Sequence, residues 1–395
     1  MEKETASIQQ AFRNSSSTGT SATGIKAKPE PFRLFFLIAA TDAIFGATVW
    51  LPLALGSEII SGVDAGVWHR NALLFGTVPA ILAGFLLTAL PRWTKQPAVS
   101  QSTKRLLAAT WSAARAASFL SVTAGLCLAA AFVLFLTIVA AISVITSRDH
   151  RNFKVVLLLS CFCGSIVLMA GTWHVEFALR VAVASIVGLI AIIGGRVIPA
   201  LTAAYAHNIG GRLVIRHSTQ VERVAAIASA CALAAWAVAP SARLTGLACA
   251  TASFCQIMRV AQWRGWQGRT PWSIIALHVG YCWIVVGFML LAIHAFVPER
   301  IGRSAGIHAW TIGAMGTMGL GIMASMIRKH SRRPFSDSAP ATAAFISMTL
   351  SCLSRLLAET PVADIELWIT ISAGLWIASF GLFLLAFGGY LLQRH

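Results

Sequence analysis

Three consecutive polar residues, His69, Arg70 and Asn71, stand in the first turn of an otherwise apolar run from Val67 to Thr94. About 20 mostly apolar residues cross a bilayer, so the run reads as a transmembrane helix. Ionisable groups inside such a span are costly and mark functional sites by default. An imidazole there can ligate a transition metal or haem iron, and a neighbouring guanidinium can clamp a carboxylate through two parallel hydrogen bonds. The same residue types recur at the outer third of other spans: His174 with Glu176 and Arg180, His294, His308, and Arg355 with Glu359. His278 sits deeper toward the cytoplasm, and Asp42 and Arg115 lie near mid-span. The pattern predicts an outward-facing polar pocket. For His174, Glu176 and His294 the plainer reading is that helix ends tolerate side chains that snorkel to water.

His69 and His308 are the better ligand candidates because their helices are patterned for close packing. Ala72, Gly76, Ala80, Gly84 and Thr88 recur at every fourth position, a stripe of small residues that lets a neighbouring backbone approach. Gly306, Gly313, Gly316, Gly319 and Gly321 play the same part in the later helix, where His308, Met315 and Met326 share a face. A methionine stripe reads first as core filling and only second as a set of soft copper ligands.

The elements that must position these groups follow from composition. Of 395 residues, 57% are hydrophobic and 11% charged, and the mean hydropathy is +0.74. Soluble domains carry about 25% charged residues, so the chain is an integral membrane protein. The net charge of +17 is scattered in short clusters between apolar runs, as the positive-inside rule requires, and does not form the patch of a nucleic-acid binder. All eight cysteines lie inside predicted spans, which excludes a disulfide framework. Cys161 and Cys163, two apart on one helix, point to different faces and read as packing residues.

Residues 1–31 are polar and Ser/Thr-rich and predict a disordered cytoplasmic tail. Residues 32–395 form one all-α, polytopic domain of about twelve transmembrane helices, at 34–55, 67–90, 105–122, 124–146, 153–173, 175–199, 221–239, 243–261, 272–296, 305–328, 338–358 and 364–391. The stretch 105–146 is too long to cross once and is split near Thr123–Gly125. Pro91 should stop the second helix, with Trp93 as an interfacial anchor. The basic clusters then fall on one side, which puts both termini in the cytoplasm. No P-loop, dinucleotide fingerprint or nucleophile elbow is present.

From Pro31 onward the chain resembles the NnrS family, multi-span bacterial membrane proteins associated with nitric oxide metabolism and holding haem and copper. The matching pieces, in order, are PFRLFF, WHRNALLFG, GFLLTALPRWT, GGRVIP, ALHVGYCW, GIHAWTIGAMGTMGLGIM and RKHSRRP. The resemblance implies a bacterial cytoplasmic-membrane protein serving nitric oxide or nitrosative-stress handling, or denitrification-related metabolism. Its partners would be lipid, haem, and nitric oxide or a nitrosylated metal species. The family's histidines fall on His69, His278, His308 and His330, and its arginines on Arg115, Arg196 and Arg333. This implies a haem site drawn from His69, His278 and His308 with Arg70 and Arg115, and metal ligands among His69, His308 and His330. Two departures count against copper: Asn71 and Ala72 replace the family's second-helix His and Glu. His330-Ser331-Arg332-Arg333 also stands where the family reads His-Thr-Gly-Arg. A haem–copper oxidase or nitric oxide reductase subunit needs a His-His and a His-x-His pair, and this chain has neither. The alternative is a transporter of a small anionic or metal-bound solute that has lost the metal site, using Arg70, Arg115, Arg180 and Arg355.

Overall fold

The computed structural model describes residues 30–57, 63–208, 218–265, 270–331 and 338–393. Among these, every regular element is helical. The long helices are α1 Pro31–Ala54, α2 Ala65–Trp93, α3 Gln101–Leu120, α4 Val122–Thr146, α5 Phe153–Ala170 and α6 Val175–Asn208. They continue with α7 Thr219–Val238, α8 Arg243–Ala261, α9 Trp272–Phe296, α10 Ala305–Ser331, α11 Ala339–Leu357 and α12 Ile365–Leu392. Eleven are long and apolar enough to cross a membrane; α3 is the exception. It carries Lys104, Arg105 and Arg115, yet its 20 residues span about 30 Å at ~1.5 Å per residue. On α4, Leu134, Ile138, Ile142 and Ile145 form an exposed apolar stripe that suits lipid and not water.

The long run divides as expected, slightly earlier than predicted. Ser121 alone joins α3 to α4 in extended backbone, and its hydroxyl accepts the Ala124 N–H at 3.3 Å to cap α4. Two expected ends are corrected. Pro91 does not stop α2, which runs on to Trp93. A proline in the last turn removes only one hydrogen bond, and Trp93 packs on Phe85 at 5.7 Å between ring centres. Pro199 likewise lies inside α6, which continues to Asn208. The polar tail lies outside the described residues except at its end, where Pro31 already opens α1.

Neighbours in sequence pack as antiparallel pairs around α2 and α10. The most apolar windows of these two are 78% and 83% buried, against at most 56% for any other span. The glycine stripes explain the approach. A Cβ at Gly84 would come within 2.5 Å of the Phe36 ring on α1, and Gly313 lies against the Trp283 indole of α9. Both central helices widen into a π-helix for eight residues, Arg70–Thr77 in α2 and Ala309–Gly316 in α10. In each case the widening begins directly after the candidate histidine. Such π segments are rare and concentrate at functional sites.

Candidate functional site: two facing imidazoles

The start of α2 is fixed twice over. Asp64 accepts the Val67 N–H at 2.7 Å as a cap, and the Trp68 indole donates to the Gly46 carbonyl of α1 at 3.0 Å. This turns His69 toward the bundle, where Trp50 covers it at 4.4 Å between ring centres. Its Nδ1 is buried without a hydrogen-bond partner, an uncommon state that leaves it open to a water or an ion.

His308 enters from α10 and faces it, with the two ring centres 6.4 Å apart and tilted by 44°. The His308 Nδ1 lies 3.0 Å from the Ser304 carbonyl and 3.3 Å from Glu359 Oε1. Both neighbours are acceptors, so Nδ1 carries the proton and Nε2 keeps its lone pair. Glu359, in the turn between α11 and α12, also accepts from Ser304 Oγ at 2.6 Å and from Arg355 Nη1 at 2.7 Å. Burial alone would raise its pKa; the bonds from His308 and Ser304 and the Arg355 charge overturn that and hold it at about 2. Glu359 is therefore an ionised acceptor that orients the imidazole.

The ring separation lies at the outer limit for one ion shared by both imidazoles, reached only when the two nitrogens face each other in line. Two metal–imidazole bonds of ~2.0–2.1 Å laid end to end separate the ring centres by roughly 6.3 Å, close to the 6.4 Å found. The arrangement does not fit a porphyrin in this packing. Trp50 closes one side of His69, and the Cys352 thiol lies 3.9 Å from the His308 carbonyl. A cleft of about 10 Å³, lined by Asn71, Arg115 and Ala129 among others, includes neither imidazole. Among the described residues no cluster of three or more His, Cys, Asp or Glu could hold a metal.

The remaining candidates are dispersed. Arg70 follows His69, and its Nε is buried without a hydrogen-bond partner. Arg115 is engaged by Asp42 at 2.7 Å. His278 belongs to the opposite half of the bundle, with Nε2 3.0 Å from Thr202 Oγ1 and its edge sealed by Gly265. His330, at the far end of α10, pairs with Glu30 at 3.0 Å and packs edge-on against Phe32. About 30 Å of helix separates it from His308 at ~1.5 Å per residue, so the two cannot share a centre. Arg196 donates to Asn152 Oδ1 at 2.8 Å, and Arg180 to the Ala237 carbonyl at 2.9 Å. His294 fastens the α9–α10 connection through the Ile301 carbonyl at 3.0 Å. Arg333 lies outside the described residues.

One buried network lies outside the candidates that the sequence singled out. Arg259 is buried, with Nη2 2.5 Å from Glu222 and Nη1 bonded to the Ala191 carbonyl at 2.9 Å and the Tyr281 hydroxyl at 2.6 Å. Tyr281 donates to Gln256 Oε1 at 2.9 Å, and Gln256 donates to Ser229 at 2.7 Å. The only prior signal was Glu222 itself, an acid in the first turn of a span.

The family model described as NnrS protein matches residues 28–395, nearly the whole chain, so the chain belongs to that family. Comparison with curated proteins finds no match.

Proposed function

We propose that this member of the NnrS family holds a metal centre between His69 and His308 in the bacterial cytoplasmic membrane and serves nitric oxide or nitrosative-stress handling. The observation that carries the reading is the 6.4 Å spacing of two imidazoles, one with a buried unpartnered Nδ1 and one oriented by an ionised carboxylate. A metal bound there supplies a centre able to bind nitric oxide or a related small ligand. The protein's own contribution is orientation and exclusion. Glu359 and Ser304 fix the His308 tautomer, Trp50 shields His69 from water, and Arg70 adds positive charge beside the site. A bare ion that accepts imidazole nitrogen is the form that the packing favours. The haem form requires the ends of α1, α2, α10 and α11 to part far enough to admit a macrocycle.

The reading puts the histidine pair on the outer side and both termini in the cytoplasm. The clusters Arg92–Lys95–Lys104–Arg105 and Arg148–Arg151–Lys154 lie toward the His330 end, while acidic Asp64, Glu299 and Asp364 accompany the His308 end. The transporter alternative is weakened because three of its four arginines are already engaged, Arg115 by Asp42, Arg180 by a carbonyl and Arg355 by Glu359.

The test is the absorption spectrum and metal content of detergent-purified protein from cells replete in haem and copper. A Soret band lost in His69→Ala and in His308→Ala establishes the haem form. A colourless protein with one metal equivalent, lost in both variants, establishes the ion form. A colourless and metal-free protein refutes the proposal.

A further inference from the structure

A second polar site lies beside the first turns of the α2 π segment, between α2, α3 and α4. Its foundation is the buried ion pair of Asp42 on α1 and Arg115 on α3, Nε to Oδ1 at 2.7 Å, with Thr77 donating to Asp42 Oδ2 at 2.8 Å. The pair rests on bare backbone. A Cβ at Gly76 would come 2.8 Å from Asp42 Oδ2 and 3.1 Å from Arg115 Cζ, while the Trp111 indole donates to the Gly76 carbonyl at 2.9 Å. The bond to Asp42 uses Arg115 Nε. Arg115 Nη2 remains buried with no hydrogen-bond partner, and so does Asn71 Oδ1.

These two orphaned atoms belong to side chains that line one cleft of about 10 Å³, walled by Asn71, Phe75, Arg115, Ser118, Gly125 and Ala129. A buried charged donor without a partner carries the full cost of its lost hydration. A polar cavity of ~10–15 Å³ with two or more partners is the size that holds one water. A water suits the chemistry on offer, because it can accept from Arg115 Nη2–H and donate to Asn71 Oδ1. The Ser118 hydroxyl, which donates to the Ala114 carbonyl at 2.8 Å, still has lone pairs for the second water hydrogen.

We propose that this cleft is a binding site for a single ordered water bridging Arg115, Asn71 and Ser118. The water extends the Thr77–Asp42–Arg115 network across α3 to the corner where α3 meets α4. It also gives Asn71 a role of its own, as the acceptor that completes the hydration of a charge buried in the bundle.

The experiment is infrared spectroscopy of the purified full-length protein in H2(16)O and H2(18)O. A tightly held water gives a sharp O–H stretch that shifts with the oxygen isotope. Wild type should show that band. Asn71→Leu, which removes the acceptor and fills the space, should lose it. Ala129→Val fills the cleft from the opposite wall and leaves all three polar partners in place; it should lose the band too, and it stands in if Asn71→Leu does not fold. Arg70→Gln, outside the cleft, should retain the band. A wild type without an isotope-shifted band, or a band that survives in any folded cleft-filling variant, overturns the proposal.

Discussion

Replacing Glu359 by Gln separates orientation of His308, the proposed metal ligand, from ligation itself. The amide keeps the size of the side chain and removes its charge. Three donors converge on Glu359: Ser304 Oγ at 2.6 Å, Arg355 Nη1 at 2.7 Å and His308 Nδ1 at 3.3 Å. All three bonds are charge-assisted because the acceptor is an ionised carboxylate, and that carboxylate is only 9% exposed. Loss of a partner that orients a metal-bound histidine costs roughly 10–100-fold in metal affinity. At 1.36 kcal/mol per decade that is about 1.4–2.7 kcal/mol. Glu359→Gln should therefore weaken metal retention 10–100-fold in competition with a chelator of known affinity, while His308→Ala abolishes it. Asp364→Asn, a cap in the same loop region whose oxygen accepts the Leu367 N–H, should leave affinity unchanged. A folded Glu359→Gln protein that holds metal as tightly as wild type refutes the assignment of Glu359 as the orienting group.

The same carboxylate sets a pH window. Its folded pKa, about 2, lies below the ordinary value of 4.5, so its stabilisation is fully present above pH 4.5 and is lost as pH falls toward 2. The gap in thermal midpoint between metal-free wild type and Glu359→Gln should narrow over that window and be constant above it; a gap independent of pH removes the carboxylate from the account. Asp42→Asn strands the Arg115 charge on Gly76, and uncompensated buried charges cost about 3–5 kcal/mol. The double change Asp42→Asn with Arg115→Met should recover most of that loss in detergent thermal denaturation. Arg259→Met strands Glu222 and two further partners, the Ala191 carbonyl and the Tyr281 hydroxyl, so it should destabilise to a similar degree without changing metal content. A fall in metal content at unchanged stability would instead connect that network to the site.

Hydropathy revealed the order of the helices and eleven of the spans because lipid selects for length and composition, both linear properties of a chain; α3 falls short of that composition. The sequence misjudged two helix ends because a proline is forbidden only where it breaks bonds that matter. Pro91 sits in a last turn, and Pro199 is carried by the packing of a long helix. That His69 and His308 reach the same end of the bundle was legible for the same linear reason, since both open spans that run in the same direction; the sequence did not separate them from His278 as ligands. What faces what around each helix was less legible. Arg259 has the sequence position of an interfacial charge, and only the rotation of α8 turns it onto Glu222 and Tyr281. The π segments left no trace either, because one extra residue per turn changes where side chains point without changing which residues are apolar.

Those rotations also explain why the two departures from the family pattern are built into the packing. Ala72 is 1% exposed, and its Cβ would lie 3.1 Å from a Cβ at Gly46 of α1. A carboxylate there would have to part α1 from α2 while losing its hydration. Asn71 faces the cleft beside Arg115, where an imidazole would occupy the space of the water and bring no acceptor matched to its position. Restoring both residues, Asn71→His with Ala72→Glu, should therefore not rebuild a metal site. Overpacking alone costs about 1–3 kcal/mol, and an unpaired buried carboxylate adds several more. Thermal denaturation should show a large loss of stability, with metal stoichiometry no higher than wild type. A restored variant that stays as stable as wild type and binds an additional metal equivalent would show that α1 and α2 have room for the missing ligands. The close contact at Gly46 would then not be what excludes them.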